Sequence, residues 1–274
     1  MVLSRRIGGD GPAVSQICYG AMRLAAEVDG LTAADHLCRL HDAGITTIHS
    51  SHEYPTDQVL IDALASATGA GRSFEHIVKL AEPSFDERSF DAARLTRAVD
   101  RRLADLHTER LDCIQWMIRT PEPQDDAGTV GALEEGRDRI NTCMAELVAA
   151  GKIGSMALFP YTRAIAEAAI DGGTAQNLAV YLNPEEDDYT DLADRCRSVI
   201  AIRPLAGGSL TAAGPDAVGD ALRYPLLHPA VATTIVSINS TAHVSAAVTA
   251  AGGTVPDRDA FDEQRAARTT GDGV

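Results

Sequence analysis

The chain lacks a paired cysteine motif, a long apolar run and an excess of positive charge, and each absence removes a class of protein. Its five cysteines, Cys18, Cys38, Cys113, Cys143 and Cys196, are odd in number and scattered, with no Cys-x-x-Cys spacing. That pattern suits buried thiols in a reducing cytoplasm better than a disulfide framework or a zinc site. The apolar runs fall far short of the ~20 residues of a membrane span. The arginines near the N-terminus are not followed by an apolar segment long enough for a signal peptide. Lysine and arginine total 24 against 39 acidic residues, a net charge of −15, which opposes nucleic acid and anionic membranes. No Ser/Gly/Pro-rich linker divides the 274 residues, 45% of them hydrophobic, so a single domain with one large core is expected. The expected setting is cytoplasmic and the expected partner a small molecule.

What is present is an alternation of short apolar runs with longer amphipathic segments, the pattern of β/α units around a parallel sheet. Strands are predicted at 16–19, 46–50, 77–80, 113–117, 155–159, 178–182, 199–202 and 233–237. Helices are predicted near 32–42, 56–67, 88–106, 132–150, 161–171, 187–196, 216–226 and 240–251. Thr32 with Asp35 reads as a capping-box-like helix start, and Gly44 and Gly151 stand where helices should stop. Roughly eight strand–helix units in this order predict a (β/α)8 TIM barrel in the α/β class. A doubly wound open sheet is disfavoured, since no Gly-x-Gly-x-x-Gly follows the first strand. The barrel is expected over 1–251. Residues 252–274, rich in charge, Gly and Thr, are expected as a loose polar tail.

The stretch Gly44-Ile45-Thr46-Thr47-Ile48-His49-Ser50-Ser51-His52-Glu53-Tyr54 looks like a strand end delivering a tyrosine to a barrel mouth. It is preceded by Gly20-Ala21-Met22-Arg23-Leu24 and followed by Ala149-Ala150-Gly151-Lys152-Ile153, Arg203-Pro204-Leu205-Ala206-Gly207-Gly208 and His228-Pro229-Ala230-Val231-Ala232. In this order and spacing the fragments resemble the aldo-keto reductase family, from about Val14 to about Ala251. The resemblance implies a small hairpin over the N-terminal mouth, hydride transfer from a reduced nicotinamide (NADPH, leaving NADP) to a carbonyl carbon, and a tyrosine as proton donor. It places Tyr54 at the donor position and Lys79, in Ile77-Val78-Lys79-Leu80, at the lysine that supports the tyrosinate. His49 stands where the family has the Asp that holds this lysine. Met117, in Leu111-Asp112-Cys113-Ile114-Gln115-Trp116-Met117, stands where it has the His that orients the substrate oxygen. Met22, Trp116 and Met117 are expected to line the substrate pocket. For the cofactor the resemblance points to Arg203, Leu205, Gly207 and Gly208 after the seventh strand and to Asn239 after the eighth. Asn239 replaces an Arg there, Leu158-Phe159 a Ser-Asn pair, and Ala179 a Gln, so NADP is implied with fewer contacts than the family supplies.

A free tyrosine, with pKa ~10, is protonated at neutral pH but donates slowly without tuning. Neutral His49 can accept one hydrogen bond from Lys79 but cannot supply a negative charge, and the Met117 thioether cannot donate to a carbonyl. His52 is the nearest group in sequence that could take over. Three functions stay open. The first is a divergent NAD(P)H-linked reductase of a small carbonyl compound with Tyr54 as proton donor. The second is a non-redox barrel enzyme (dehydratase, isomerase or cyclase) using Tyr54, Lys79, His49 and His52 as acid–base groups. The third is a non-catalytic relative. His49-x-x-His52 beside Glu53 has the spacing of a metal pair, but a strand turning into a loop with no third ligand predicts no metal. The acidic run Glu185-Glu186-Asp187-Asp188 reads as a solvated loop and helix start.

Overall fold

The computed structural model describes residues 2–69, 71–81, 89–118, 125–212 and 214–269. Eight parallel strands close into a barrel: β1 (Ile17–Gly20), β2 (Thr47–Ser50), β3 (Glu75–Leu80), β4 (Leu111–Ile118), β5 (Ile153–Pro160), β6 (Asn177–Tyr181), β7 (Ser198–Ile202) and β8 (Val231–Val236). Neighbours pair in chain order, and β8 closes on β1 through Thr234↔Ile17, Ile235↔Cys18 and Val236↔Tyr19. Between them run α1 (Ala33–Asp42), α2 (Asp57–Gly69), α3 (Ala92–Asp105), α4 (Asp126–Ala149), α5 (Arg163–Asp171), α6 (Thr190–Ala193) and α7 (Pro215–Leu227), with α8 (Thr241–Ala251) after β8. This is the (β/α)8 barrel expected from the sequence. No described helix is long and apolar enough to cross a membrane.

Strand periodicity divides the core in two, because successive side chains point to opposite faces. Inside the barrel lie Cys18, Ile77, Cys113, Ala157, Ala179, Ile200 and Ile235, and Ala232, at the register shift between β7 and β8, joins the same cluster. Val78, Ile114, Trp116, Leu158 and Leu178 face the helices and join their apolar sides. The antiparallel hairpin of Ser4–Arg6 with Ala13–Ser15 sends Ile7 and Val14 into the interior cluster from below. It is held there by Gly8 N–H to Ser198 Oγ, 2.9 Å, and Ser15 N–H to Thr47 Oγ1, 2.8 Å. The N-terminal mouth is therefore plugged, and chemistry is left to the C-terminal end of the strands.

Local signals behave as their chemistry requires. Thr32 Oγ1 accepts from Asp35 N–H at 3.1 Å and caps α1. Gly44 and Gly151 take φ of 87° and 72°, the left-handed turn that stops a helix. Helix α4 starts earlier than expected, because Asp125 caps it by accepting from Gly128 N–H. The helix expected near 187–196 shrinks to the single turn of α6. The expectation for 88–106 is met from Ala92, after the Asp91 cap; its first position falls outside the described residues.

The largest difference lies at the C-terminus. In place of a loose tail from 252 onward, the structure forms α9 (Arg258–Thr269). Its sequence is polar on most sides, so apolar periodicity does not announce it. One residue, Phe261, anchors it: fully buried, its ring lies 4.8 Å from both Tyr224 and His228. Arg258 to Asp194 at 2.5 Å and Arg265 to Asp187 at 2.7 Å tie the helix to the segment after β6. Replacing Phe261 by alanine is expected to cost about 3 kcal/mol, read as a lower urea midpoint. An unchanged midpoint would show that α9 contributes nothing to the fold.

Candidate active site

Three strands end at the site. His49 on β2, Lys79 on β3, and Gln115 and Met117 on β4 share the inward register set by Ile77 and Cys113. After Ser50 the chain turns through residues 51–56 into α2. Tyr54 N–H donates to Ser51 O at 3.1 Å and Asp57 N–H to Tyr54 O at 3.0 Å. The Thr56 hydroxyl pins the turn to the segment just after β1 by donating to Ala21 O at 2.8 Å. The turn brings the Tyr54 ring edge-on to His49, 5.9 Å between centroids, with Lys79 Nζ 4.8 Å from the ring centre. Glu53 reaches the same lysine, Oε2 to Nζ 2.9 Å. Lys79 is one of only two lysines in the chain.

The carboxylate beside Lys79 thus comes from position 53 on the loop, while position 49 on the strand carries an imidazole. Matching the sequence position by position misses Glu53, since the acid is sought only on the strand. The available signal is an acidic residue immediately before the tyrosine on a short loop, within a lysine's reach of the next strand end.

His49 is 5% exposed and holds Gln115, Nε2 to Oε1 2.5 Å. A carbonyl oxygen only accepts, so the ring carries its proton on Nε2 and leaves Nδ1 as an acceptor. Burial, opposed by the Gln115 bond and aided by the Lys79 charge, lowers its pKa to about 4. The imidazole is therefore neutral at pH 7 and does not compete with Lys79 for Glu53. The Tyr54 phenol is pushed above its ordinary value, first by burial and then by the Glu53 charge and by Cys18.

The other expected residues divide. Met117, 3% exposed, sits on the inward register. Met22, 46% exposed, lies on the short helical turn leaving β1. His52 is exposed and does not join His49, which is inside the barrel. Trp116, expected to line the pocket, is instead fully buried among the residues packed against the helices, edge-on to Phe90 at 5.7 Å. With Met117 pointing in, period-two alternation turns Trp116 away from any pocket.

Across the mouth, Arg203 has φ 56° and Ala206 φ 47°, bracketing a turn continued by Gly207 at 72° and Gly208 at 115°. A side chain at Gly207 would meet the Arg203 guanidinium at 3.0 Å, while Gly208 has open space around it. The Arg203 guanidinium lies 4.8 Å from the Tyr181 ring centre and 3.4 Å from Glu186 Oε1, and Asn183 Nδ2 donates to Arg203 O at 2.8 Å. Leu205 is half-buried against the outer core. Asn239 Oδ1 is buried with no hydrogen-bond partner. The start of α8 beside it is closed by its own chain: Thr241 N–H donates to Asp29 Oδ2 at 2.8 Å and His243 N–H to Ser240 Oγ at 3.1 Å.

Comparison with known proteins agrees with this architecture. The sequence model of the aldo/keto reductase family matches residues 16–220. Among solved structures, the chain is similar to the holo form of aldo-keto reductase AKR11C1 from Bacillus halodurans, at 17% identity and a TM-score of 0.71 over 98% of this chain and 96% of that one. It is also similar to an aldo/keto reductase from Klebsiella pneumoniae in complex with NADP and acetate, at 19% identity and a TM-score of 0.65 over 98% and 96%. The search of curated proteins finds no match.

Two buried histidines set an acid limit on stability. His49 and His76 both have folded pKa values of about 4, below the usual 6.5, chiefly through burial. Their stabilising contribution is complete above pH 6.5 and is lost as pH falls from 6.5 towards 4, where the unfolded chain takes up protons first. Urea unfolding at pH 7 and pH 5 should show lower stability at pH 5, and neither ring should titrate above pH 6 by NMR. Titration of the His49 ring near 6.5 would contradict the assignment.

Proposed function

The chain belongs to the aldo/keto reductase family, and we propose that it is an enzyme reducing the carbonyl of a small molecule with a nicotinamide, Tyr54 donating the proton. The observation that carries this reading is the meeting of Tyr54, Lys79 and Glu53 at the C-terminal mouth, with Lys79 Nζ 2.9 Å from Glu53 Oε2 and 4.8 Å from the Tyr54 ring centre. The raised phenol pKa keeps Tyr54 protonated at neutral pH, and the alkoxide forming on a reduced carbonyl is a strong enough base to take that proton. Lys79 holds positive charge against the ring and limits the cost of a tyrosinate. Glu53 fixes the lysine where that charge is useful. His49, neutral and bonded to Gln115, forms the wall beneath the tyrosine, and Met117 leaves the pocket floor apolar.

A nicotinamide would supply the hydride, and the described residues fit a phosphate-bearing ligand of this kind. Gly207 and Gly208 give a bare turn after β7 and Arg203 a half-exposed cation for a phosphate, while the unpartnered Asn239 Oδ1 is an acceptor suited to a ribose hydroxyl and not to a phosphate. Loops after the seventh and eighth strands are where such barrels commonly hold phosphate. The NADP-bound Klebsiella pneumoniae protein supports a nicotinamide as the ligand class. In this chain Asn239 and the Asp29 carboxylate at the start of α8 bring no positive charge to a 2′-phosphate. NADH is therefore expected to bind at least as tightly as NADPH.

A barrel enzyme working without a nicotinamide is the second reading, favoured by one observation. Arg203 already covers Tyr181 and is held by Glu186, so the cradle side of the mouth is partly filled by the protein itself. Titration of NADH and NADPH, followed by nucleotide emission, separates the two. Saturable binding below millimolar concentration supports the reductase, and none at that concentration removes it. With small aldehydes as substrates, Tyr54→Phe is expected to lower turnover by about 10²–10⁴-fold while leaving nucleotide affinity unchanged. Turnover equal to the parent would dismiss Tyr54 as the donor.

A further inference from the structure

The loop that carries Glu53 and Tyr54 is short, and both of its stems lead to one buried cation. Arg102 on α3 is 1% exposed. Its guanidinium grips Asp57, the first residue of α2, with NH1 to Oδ2 at 2.8 Å and NH2 to Oδ1 at 3.1 Å. The same NH2 donates to Ser50 Oγ, at the last residue of β2, at 3.2 Å. Asp105 adds a looser ion pair at 3.6 Å. Everything between these two anchors is the turn 51–56.

We propose that Arg102 is a positioning residue for the site, fixing the spacing of the loop stems so that Tyr54 and Glu53 arrive together at Lys79. This inference rests on the proposed roles of those three residues. A planar fork with several donors can hold a carboxylate by both oxygens and still reach a hydroxyl; the point charge of a lysine cannot. Among the described residues the other contact of the fork is the looser one to Asp105, and its Nε is buried with no partner. His76 on the outer face of β3 feels the Arg102 charge and is neutral, so Asp57 and Ser50 are not contested by a second cation there. The opposite side of the turn is tied separately, by the Thr56 hydroxyl on Ala21 O. The loop is thus held at its stems from α3 and near its end from Ala21, just after β1, so the backbone that carries Tyr54 is fixed on both sides. A buried ion pair broken from one side leaves an unpaired charge, so the conservative variant and the loop-side variant both belong in the test.

Amide hydrogen exchange of the full-length protein reads the loop without requiring activity. Arg102→Lys and Asp57→Asn are each expected to speed exchange at the Tyr54 and Asp57 amides at least tenfold relative to amides in β4 and α4. Turnover should fall about tenfold or more while nucleotide affinity stays within about twofold, because the damage lies at the reacting end. Arg102→Lys should be the milder of the two if it recovers part of the Asp57 contact. Exchange at the turn that stays at the parent rate in both variants would overturn the inference. So would exchange that rises uniformly through the barrel, which would mark Arg102 as a general stability residue. Loop-specific exchange in a protein that reduces no carbonyl would leave the clamp standing and refute the proposed reaction instead.

Discussion

The ion pair between Lys79 and Glu53 is the contact on which the rest of the site depends. Lys79 projects from the end of a barrel strand into a mouth of restricted solvent access, its side chain 12% exposed. A cation so placed needs a nearby anion or a ligand to compensate its lost hydration. Glu53 supplies that anion from a loop rather than from the strand, and by doing so draws the adjacent Tyr54 onto the face of the same lysine. One carboxylate therefore performs two tasks: it compensates the lysine, and it sets where the tyrosine goes. The neutrality of His49 follows the same logic, since a second cation in this enclosure would weaken the pair.

Much of the fold was readable because barrel strands obey a simple period. The eight strands fell within a residue or two of their places, and the helix stops at Gly44 and Gly151 follow from a backbone conformation that glycine adopts without strain. What was hidden had a physical reason in each case. Helix α9 depends on a single buried ring, Phe261, and on ion pairs to Asp187 and Asp194 that lie far away in sequence. The outward orientation of Trp116 follows from alternation along β4 once Met117 is assigned to the inside. Tyr54 and Lys79 were legible as a pair because their spacing follows strand ends. Glu53 was not, because its role depends on how a six-residue turn folds back, and that geometry is fixed partly by Arg102, three elements later on α3.

The two sides of the mouth differ in character. On the β2–β4 side the charges are internally matched, with Glu53 on Lys79 and a neutral imidazole on Gln115. On the β7–β8 side Arg203 stacks on Tyr181 and meets Glu186, while Asn239 retains an acceptor with no partner. The first side has its charges paired and its rings in contact without any ligand. The second must open its own contacts to admit one, so ligand entry there exchanges existing protein contacts for new ones.

A double-mutant cycle on Glu53→Gln and Lys79→Met, read as reduction of small aldehydes by a nicotinamide, tests the central claim most directly. If Glu53 acts through Lys79, its substitution lowers turnover in the parent and has no further effect once the lysine is gone. Losses that simply multiply in the double variant would contradict the account, showing that the carboxylate and the amine work independently.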